Sequence, residues 1–155
     1  VSSALVLDAT PLGRLAYPSE NAAVADWLRE VLASGRRVVV PEVSDYEVRR
    51  GLLHQRENRP RDRKLIRRVE RLEKLGDDLY YAPIKTRQMR RAAEVWGKAK
   101  ARGITYGPAK ALGADAILIS QAESFGDRRS VTVITANPGH LSPFVNVAAW
   151  EDFDP

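Results

Sequence analysis

Cysteine is absent from the 155-residue sequence. Disulfides, thiolate zinc sites and cysteine nucleophiles are therefore excluded, and the composition is the one expected of a reducing cytoplasm. His54 and His140 are the two histidines present; zinc draws on histidine or cysteine, so a zinc site is not expected, and His54 is left without a role. No apolar run approaches the roughly 20 residues that span a bilayer, and Val1–Asp8 is shorter than a secretory signal, so no membrane association is expected. Gly-x-Gly-x-x-Gly and Gly-x-x-x-x-Gly-Lys-Ser/Thr are both missing, which leaves a dinucleotide fold and a P-loop enzyme without sequence support. Repeats and low-complexity tracts are lacking too, and a chain of this length is expected to form one domain over residues 1–155.

Positive charge, by contrast, is in excess: lysine and arginine number 25 against 20 acids, for a net charge of +5. The excess sits in one place. Between Arg49 and Lys74 eleven cations, among them Arg49, Arg50, Arg63 and Arg67, stand against four acids. Such a run suits a solvated helix with Glu70 beside Arg67 and Arg71, a protein interface, or contacts to a phosphate backbone.

Short apolar runs alternate with helical patterns. Ala4-Leu5-Val6-Leu7 has strand length and stops at Asp8, and Thr10-Pro11 opens a helix. Ala22, Ala25, Leu28 and Leu32 recur at helical spacing up to Ser34-Gly35. Val38-Val39-Val40 is a β-branched strand closed by Pro41, followed by a helix over Glu42–His54. A charged helix is expected over Arg59–Leu75 with Gly76 as its stop, then a strand over Leu79–Pro83 and a helix capped by Thr86 that ends at Arg102-Gly103. A loop over Gly103–Pro108, a helix around Asp115, a strand over Val131–Thr135, a turn at Asn137-Pro138-Gly139 and a last strand over Val145–Val147 complete the pattern. Strands alternating with helices predict βαβ units, a largely parallel sheet covered on both faces, and a site beyond the carboxyl ends of the strands.

Three carboxylates stand where a carboxylate needs a reason. On a helical wheel Ala111, Leu112, Leu118, Ile119 and Ala122 fall within about 60° of Asp115, so the acid belongs to the buried stripe of its helix. An N-cap and a metal ligand both explain it. Glu47 shares a helix face with Val43 and Gly51, the glycine allowing another backbone close, whereas Asp45 has Arg49 at i,i+4 and is expected to be solvated. Alone, Glu47 reads first as surface charge, as most mid-helix glutamates are, and only second as a ligand. Together with Asp8 at a strand end, these acids can converge at one edge of the sheet, where a divalent cation would relieve their repulsion. Mg²⁺ or Mn²⁺ suits such an all-oxygen set.

Leu5-Val6-Leu7-Asp8, Pro41-Glu42-Val43-Ser44-Asp45-Tyr46-Glu47-Val48-Arg49-Arg50-Gly51, Asp115-Ala116-Ile117-Leu118-Ile119-Ser120-Gln121-Ala122 and Val133-Ile134-Thr135-Ala136-Asn137 occur in that order. From about residue 4 to Trp150 the chain resembles the PIN domain, and more narrowly the VapC-type toxins. The resemblance implies a three-layer α/β/α fold with a central, mainly parallel sheet of four to five strands, in a cytoplasmic homodimer. It implies a Mg²⁺- or Mn²⁺-dependent endoribonuclease that leaves 5′-phosphate and 3′-hydroxyl ends and is blocked by a small antitoxin. Asp8, Glu47 and Asp115 match the metal-holding acids, Thr135 supports them, and Asn137 completes the catalytic set where many relatives carry a fourth acid. Gly113 and His140 stand where relatives often have aspartate. Arg49, Arg50, Arg63 and Arg67 would bind RNA phosphates, carrying little sequence information. Other expectations are a PIN nuclease of RNA processing or of DNA structures, and a metal-poor PIN module that binds RNA or protein without cutting.

Overall fold

The computed structural model describes residues 3–104 and 112–155. Its strands are β1 (Ala4–Leu7), β2 (Arg37–Pro41), β3 (Tyr80–Ala82), β4 (Val131–Ile134) and β5 (Val147–Ala148). Its helices are α1 (Ala9–Leu15), α2 (Ala22–Ala33), α3 (Glu42–Asn58), α4 (Arg63–Asp78), α5 (Thr86–Ala101), α6 (Leu112–Glu123) and α7 (Pro138–Leu141), and a 3-10 turn follows at Trp150–Asp152. The strands form one parallel sheet in the order β3-β2-β1-β4-β5.

Alternation along the strands sends successive side chains to opposite faces, and helices cover both, which is why β1 and the core of β2 are apolar throughout. On one face Leu5, Leu7, Val38, Val40 and Ile134 join a cluster with α1, α2 and Leu72 of α4. On the other, Val6, Val39, Val131 and Val133 join one with Val43 of α3 and the inner sides of α5 and α6. This is the three-layer α/β/α architecture expected. The sheet grows outward from β1 in both directions, toward β2 and β3 on one side and β4 and β5 on the other. At such a reversal the connecting helices diverge, which is where α/β folds commonly place a site; here it lies beyond the carboxyl ends of β1 and β4.

Several local expectations are corrected. Gly76 does not stop α4, which runs on to Asp78. A Cβ at Gly76 would lie 3.3 Å from the ring of Tyr81, so the glycine serves close packing between α4 and β3. Neither does α4 begin at Arg59: Pro60 breaks the chain, and Asp62 caps the helix by accepting from the Lys64 N–H at 3.0 Å. α3 continues past His54 to Asn58 because nothing before Arg59-Pro60 interrupts it. Lys85 rather than Thr86 caps α5, with the Gln88 side-chain Oε1 reaching back to accept from the Lys85 N–H at 2.8 Å. Asn137-Pro138-Gly139 opens the one-turn α7, and the last strand pairs through Val147 and Ala148 rather than Val145. Gly103 has φ of +65°, as its place after a helix requires; the rest of the loop expected up to Pro108 lies outside the described residues from 105 onward.

Asp45, expected in solvent, is 6% exposed. Its carboxylate accepts two bonds from the Arg49 guanidinium, at 2.9 and 3.0 Å, and Arg49 donates a third to Glu73 of α4 at 3.2 Å. Asp45 is buried because α4 folds back along α3, sealed by Leu52, Leu65 and Val69. Arg49→Met leaves Asp45 without a counter-charge and is expected to lower stability by about 2–3 kcal/mol, under the roughly 3–5 of a fully enclosed pair, because Arg49 is itself partly exposed. Urea unfolding checks this; an unmoved midpoint would mean that water solvates Asp45 after all.

Candidate active site

Asp8 leaves the end of β1 and caps α1. One carboxylate oxygen accepts from the Ala9 N–H at 2.7 Å, and the other accepts from the Thr135 hydroxyl at 2.7 Å. Thr135 comes to that place because β4 lies beside β1 in register, Leu7 opposite Ile134, so the residues after the two strands meet. The Thr135 oxygen in turn accepts from the Asn137 N–H at 3.1 Å. Thr135 is 2% exposed, so the middle of this chain of bonds is shielded from water, and the Thr135 hydroxyl and Ala9 N–H together hold the carboxylate in one orientation. Asn137 is exposed, and its side chain makes no capping bond to α7.

Glu47 arrives from α3 and Asp115 from the first turn of α6, both partly buried. Burial, then the charge of Asp8, pushes the Glu47 carboxyl above its ordinary value; Arg50 pulls it back and Asp115 adds a further push. Burial, then the charge of Asp8, pushes Asp115 up to about 6. The fold therefore brings all three acids within electrostatic reach of one another. Among the described residues, however, no three His, Cys, Asp or Glu side chains form a ready cage for a metal ion.

Of the stripe expected around Asp115, Leu118, Ile119 and Ala122 are buried, while Ala111 and the Leu112 side chain lie outside the described residues. Asp115 stands inside α6 and not at its cap position, because the helix already includes Leu112. Gly113 is exposed and a Cβ there would meet nothing within 4 Å among the described residues, so no packing requires glycine. Gly51 likewise faces open space rather than the close backbone expected of it. His54 and His140 are both exposed.

A cleft of about 360 Å³ runs past Glu47, lined in part by Thr10, Arg14, Arg50, Gln55 and Arg68. The Arg50 guanidinium lies 5.2 Å from the centre of the Tyr46 ring. Arg63 and Arg67 are exposed on α4, whereas the Arg49 head is occupied by Asp45 and Glu73. Arg14 and Arg68 were not singled out from the sequence: one is a lone cation on a short helix and the other one of many in a basic run. Gln121 was missed as well. It is 0% exposed, accepts from the Val43 N–H at 3.2 Å and donates to the Ala82 carbonyl at 2.8 Å. A polar residue within the apolar run of α6 is the same signal that drew attention to Asp115.

No curated protein sequence matches the chain. Solved structures similar to it include FitAcB from Neisseria gonorrhoeae (TM-score 0.70, 21% identity, 96% of this chain and 99% of that one covered). Another is VapBC2 from Rickettsia felis, bound to a DNA fragment from its promoter (TM-score 0.69, 14% identity, 95% and 98% covered). DNA-bound VapBC from Salmonella typhimurium is a third (TM-score 0.65, 16% identity, 96% and 98% covered). At these identities the likeness is one of fold. The model of the PIN domain family matches residues 5–141, nearly the whole chain and all of the acids described above. The chain belongs to the PIN domain family.

Proposed function

We propose that this PIN domain is a divalent-metal-dependent endoribonuclease, the toxin of a type II toxin–antitoxin pair, which hydrolyses RNA to 5′-phosphate and 3′-hydroxyl ends. The observation that carries the reading is the meeting of Asp8, Glu47 and Asp115 at the sheet reversal, each raising or feeling the charge of another, with Arg50 opposing the push on Glu47. Carboxylates arranged at a cost to themselves are the mark of a site built for a positive charge.

The donors fit Mg²⁺ or Mn²⁺: all are oxygens, and no cysteine exists to favour a softer ion. Asp8, Glu47 and Asp115 would hold it. Bound there, it would acidify a water and neutralise charge developing on the phosphodiester. The chain's own residues do the rest. Thr135 and the Ala9 N–H orient Asp8 in advance, so no rearrangement of that carboxylate is required. The exposed Asn137 carbonyl accepts a hydrogen bond from the attacking water and aims it. Arg50, Arg63 and Arg67 hold phosphates of the RNA; Arg49 braces α3 against α4. A small antitoxin covering the cleft, a homodimer and a cytoplasmic setting complete the reading. The fold shared with VapBC2 and VapBC supports the partner, and no described helix is long and apolar enough to cross a membrane.

A second reading, a PIN module that binds RNA without cutting, draws on the lack of a ready metal cage among the described residues and on Asn137 where many relatives carry an acid. Purified protein and mixed RNA in Mn²⁺, Mg²⁺ or EDTA separate the two. Cleavage is expected with either ion and to fall at least about 100-fold in EDTA. Cleavage that persists in EDTA would sink the metal–carboxylate mechanism; RNA binding with no cleavage in any ion would favour the second reading.

A further inference from the structure

Resting on the reading of the chain as a nuclease acting on RNA, we propose that Arg67 does not act alone: α4 and the turn after α1 form a phosphate-binding subsite around it, which grips the RNA backbone away from the scissile bond. Between them lies a cavity of about 480 Å³. Tyr17 and Glu20 line one wall, and Lys64, Arg67, Arg68 and Arg71 the other. Among the described residues none of these four cations forms an ion pair with an acid. Glu20 is the acid of the cavity, and it accepts from the Tyr17 hydroxyl at 2.7 Å.

Spacings of three and four place Lys64, Arg67, Arg68 and Arg71 as neighbours on one helix face, where like charges repel. The opposite face, with Leu65, Val69 and Leu72, is buried. Four unpaired cations gathered at a concave surface weaken the helix unless an anion relieves them. Arg68 is the most constrained. Its guanidinium stacks 4.6 Å from the centre of the Tyr17 ring, and its Nε is enclosed with no hydrogen-bond partner. Tyr17, anchored by Glu20, thus sets the plane of the arginine head.

Arg68 also lines the cleft that holds Glu47 and Arg50, so the two cavities share a wall. This continuity points to one polyanion running from the acids along α4, rather than to a separate acidic peptide. Lysine and arginine on a helix face grip phosphates and do not read bases, so the subsite confers dependence on RNA length, not on sequence.

The test measures binding of fluorescein-labelled single-stranded RNA, a trinucleotide and a dodecamer, in EDTA across a salt series. Wild type is compared with Lys64→Gln/Arg67→Gln/Arg71→Gln, whose side chains are exposed, and with Arg68→Lys, which keeps charge but loses the flat stack; circular dichroism verifies the fold. The dodecamer-to-trinucleotide affinity ratio is expected to fall at least about tenfold in the triple variant, with the salt slope shallower by about 2, as for three phosphates of a single strand. Arg68→Lys is expected to lose part of the ratio with no change in slope. An unchanged ratio, a wild type that binds both lengths alike, or polyglutamate displacing the dodecamer better than unlabelled RNA would overturn the subsite, the last assigning the pocket to an acidic protein. Length-dependent binding without cleavage in Mn²⁺ would leave the subsite standing and remove the nuclease reading; cleavage without length dependence would do the reverse.

Discussion

Asp115→Asn is expected to lower RNA cleavage about a thousandfold in Mn²⁺, the loss of roughly 4 kcal/mol of transition-state stabilisation. Yet it should leave the folded chain as stable as wild type, or more so, in EDTA at pH 8. The sign of the second effect follows from titration. An aspartate in the unfolded chain loses its proton near 4, and Asp115 in the folded chain holds it up to about 6. Between those pH values the folded protein binds more protons than the unfolded, so this group's contribution to stability falls as pH rises from about 4 to about 6 and is level above. Asparagine removes that penalty. The variant's advantage should be absent below pH 4 and full above pH 6, on the order of 1 kcal/mol once solvent screening is allowed for.

Divalent cation reverses the order. Mn²⁺ raises the melting temperature of wild type by an amount that grows with the logarithm of its concentration over Kd, and raises that of Asp115→Asn much less. An aspartate whose task was to cap a helix would behave oppositely, its loss costing about 0.5–2 kcal/mol at pH 8 with or without metal. Melting curves at pH 4 and pH 8, in EDTA and in Mn²⁺, separate the two; a variant less stable than wild type at pH 8 in EDTA would assign Asp115 to the scaffold.

Gln121→Leu should have the largest effect on stability, a loss of about 3–5 kcal/mol, because it strands a buried donor and a buried acceptor at roughly 1–3 kcal/mol each. α3 starts at Pro41 with no side-chain cap of its own, and the Val43 N–H is one of the donors that a helix start leaves open. Gln121, 78 positions further along, supplies the missing acceptor and at the same time ties the Ala82 carbonyl of β3. Leucine matches the volume and none of the bonding. Gln121→Glu keeps an acceptor for Val43 but sets a carboxylate against the Ala82 carbonyl, so it should be no better at neutral pH. Urea unfolding of both variants is the measurement, and a loss under 1 kcal/mol for leucine would mean that water or a shifted backbone satisfies both groups. Glu47 lies four residues past Val43 on α3, so a loosened start of that helix should also reduce cleavage.

Much of this molecule was legible from residue order. Strands and helices alternate as the apolar periods predict, because a strand or helix buried along one side records that side in its own spacing. Asp8, Glu47 and Asp115 stood out as charged groups at positions whose neighbours are buried, and the order of their motifs named the family. What could not be read locally was what lies across from each residue. Asp45 with Arg49 at i,i+4 is the pattern of a solvated pair, and Asp45 is buried because α4 happens to fold over it. Gly76 looks like a stop and instead makes room for Tyr81. Gln121 in an apolar helix gave no hint that its partners are a helix start and a strand far away in sequence. Arg68 differs from its basic neighbours in meeting Tyr17. In each case the burial or pairing of a polar group depends on a second element brought up by the packing of the layers, and spacing within one element carries no record of its neighbour.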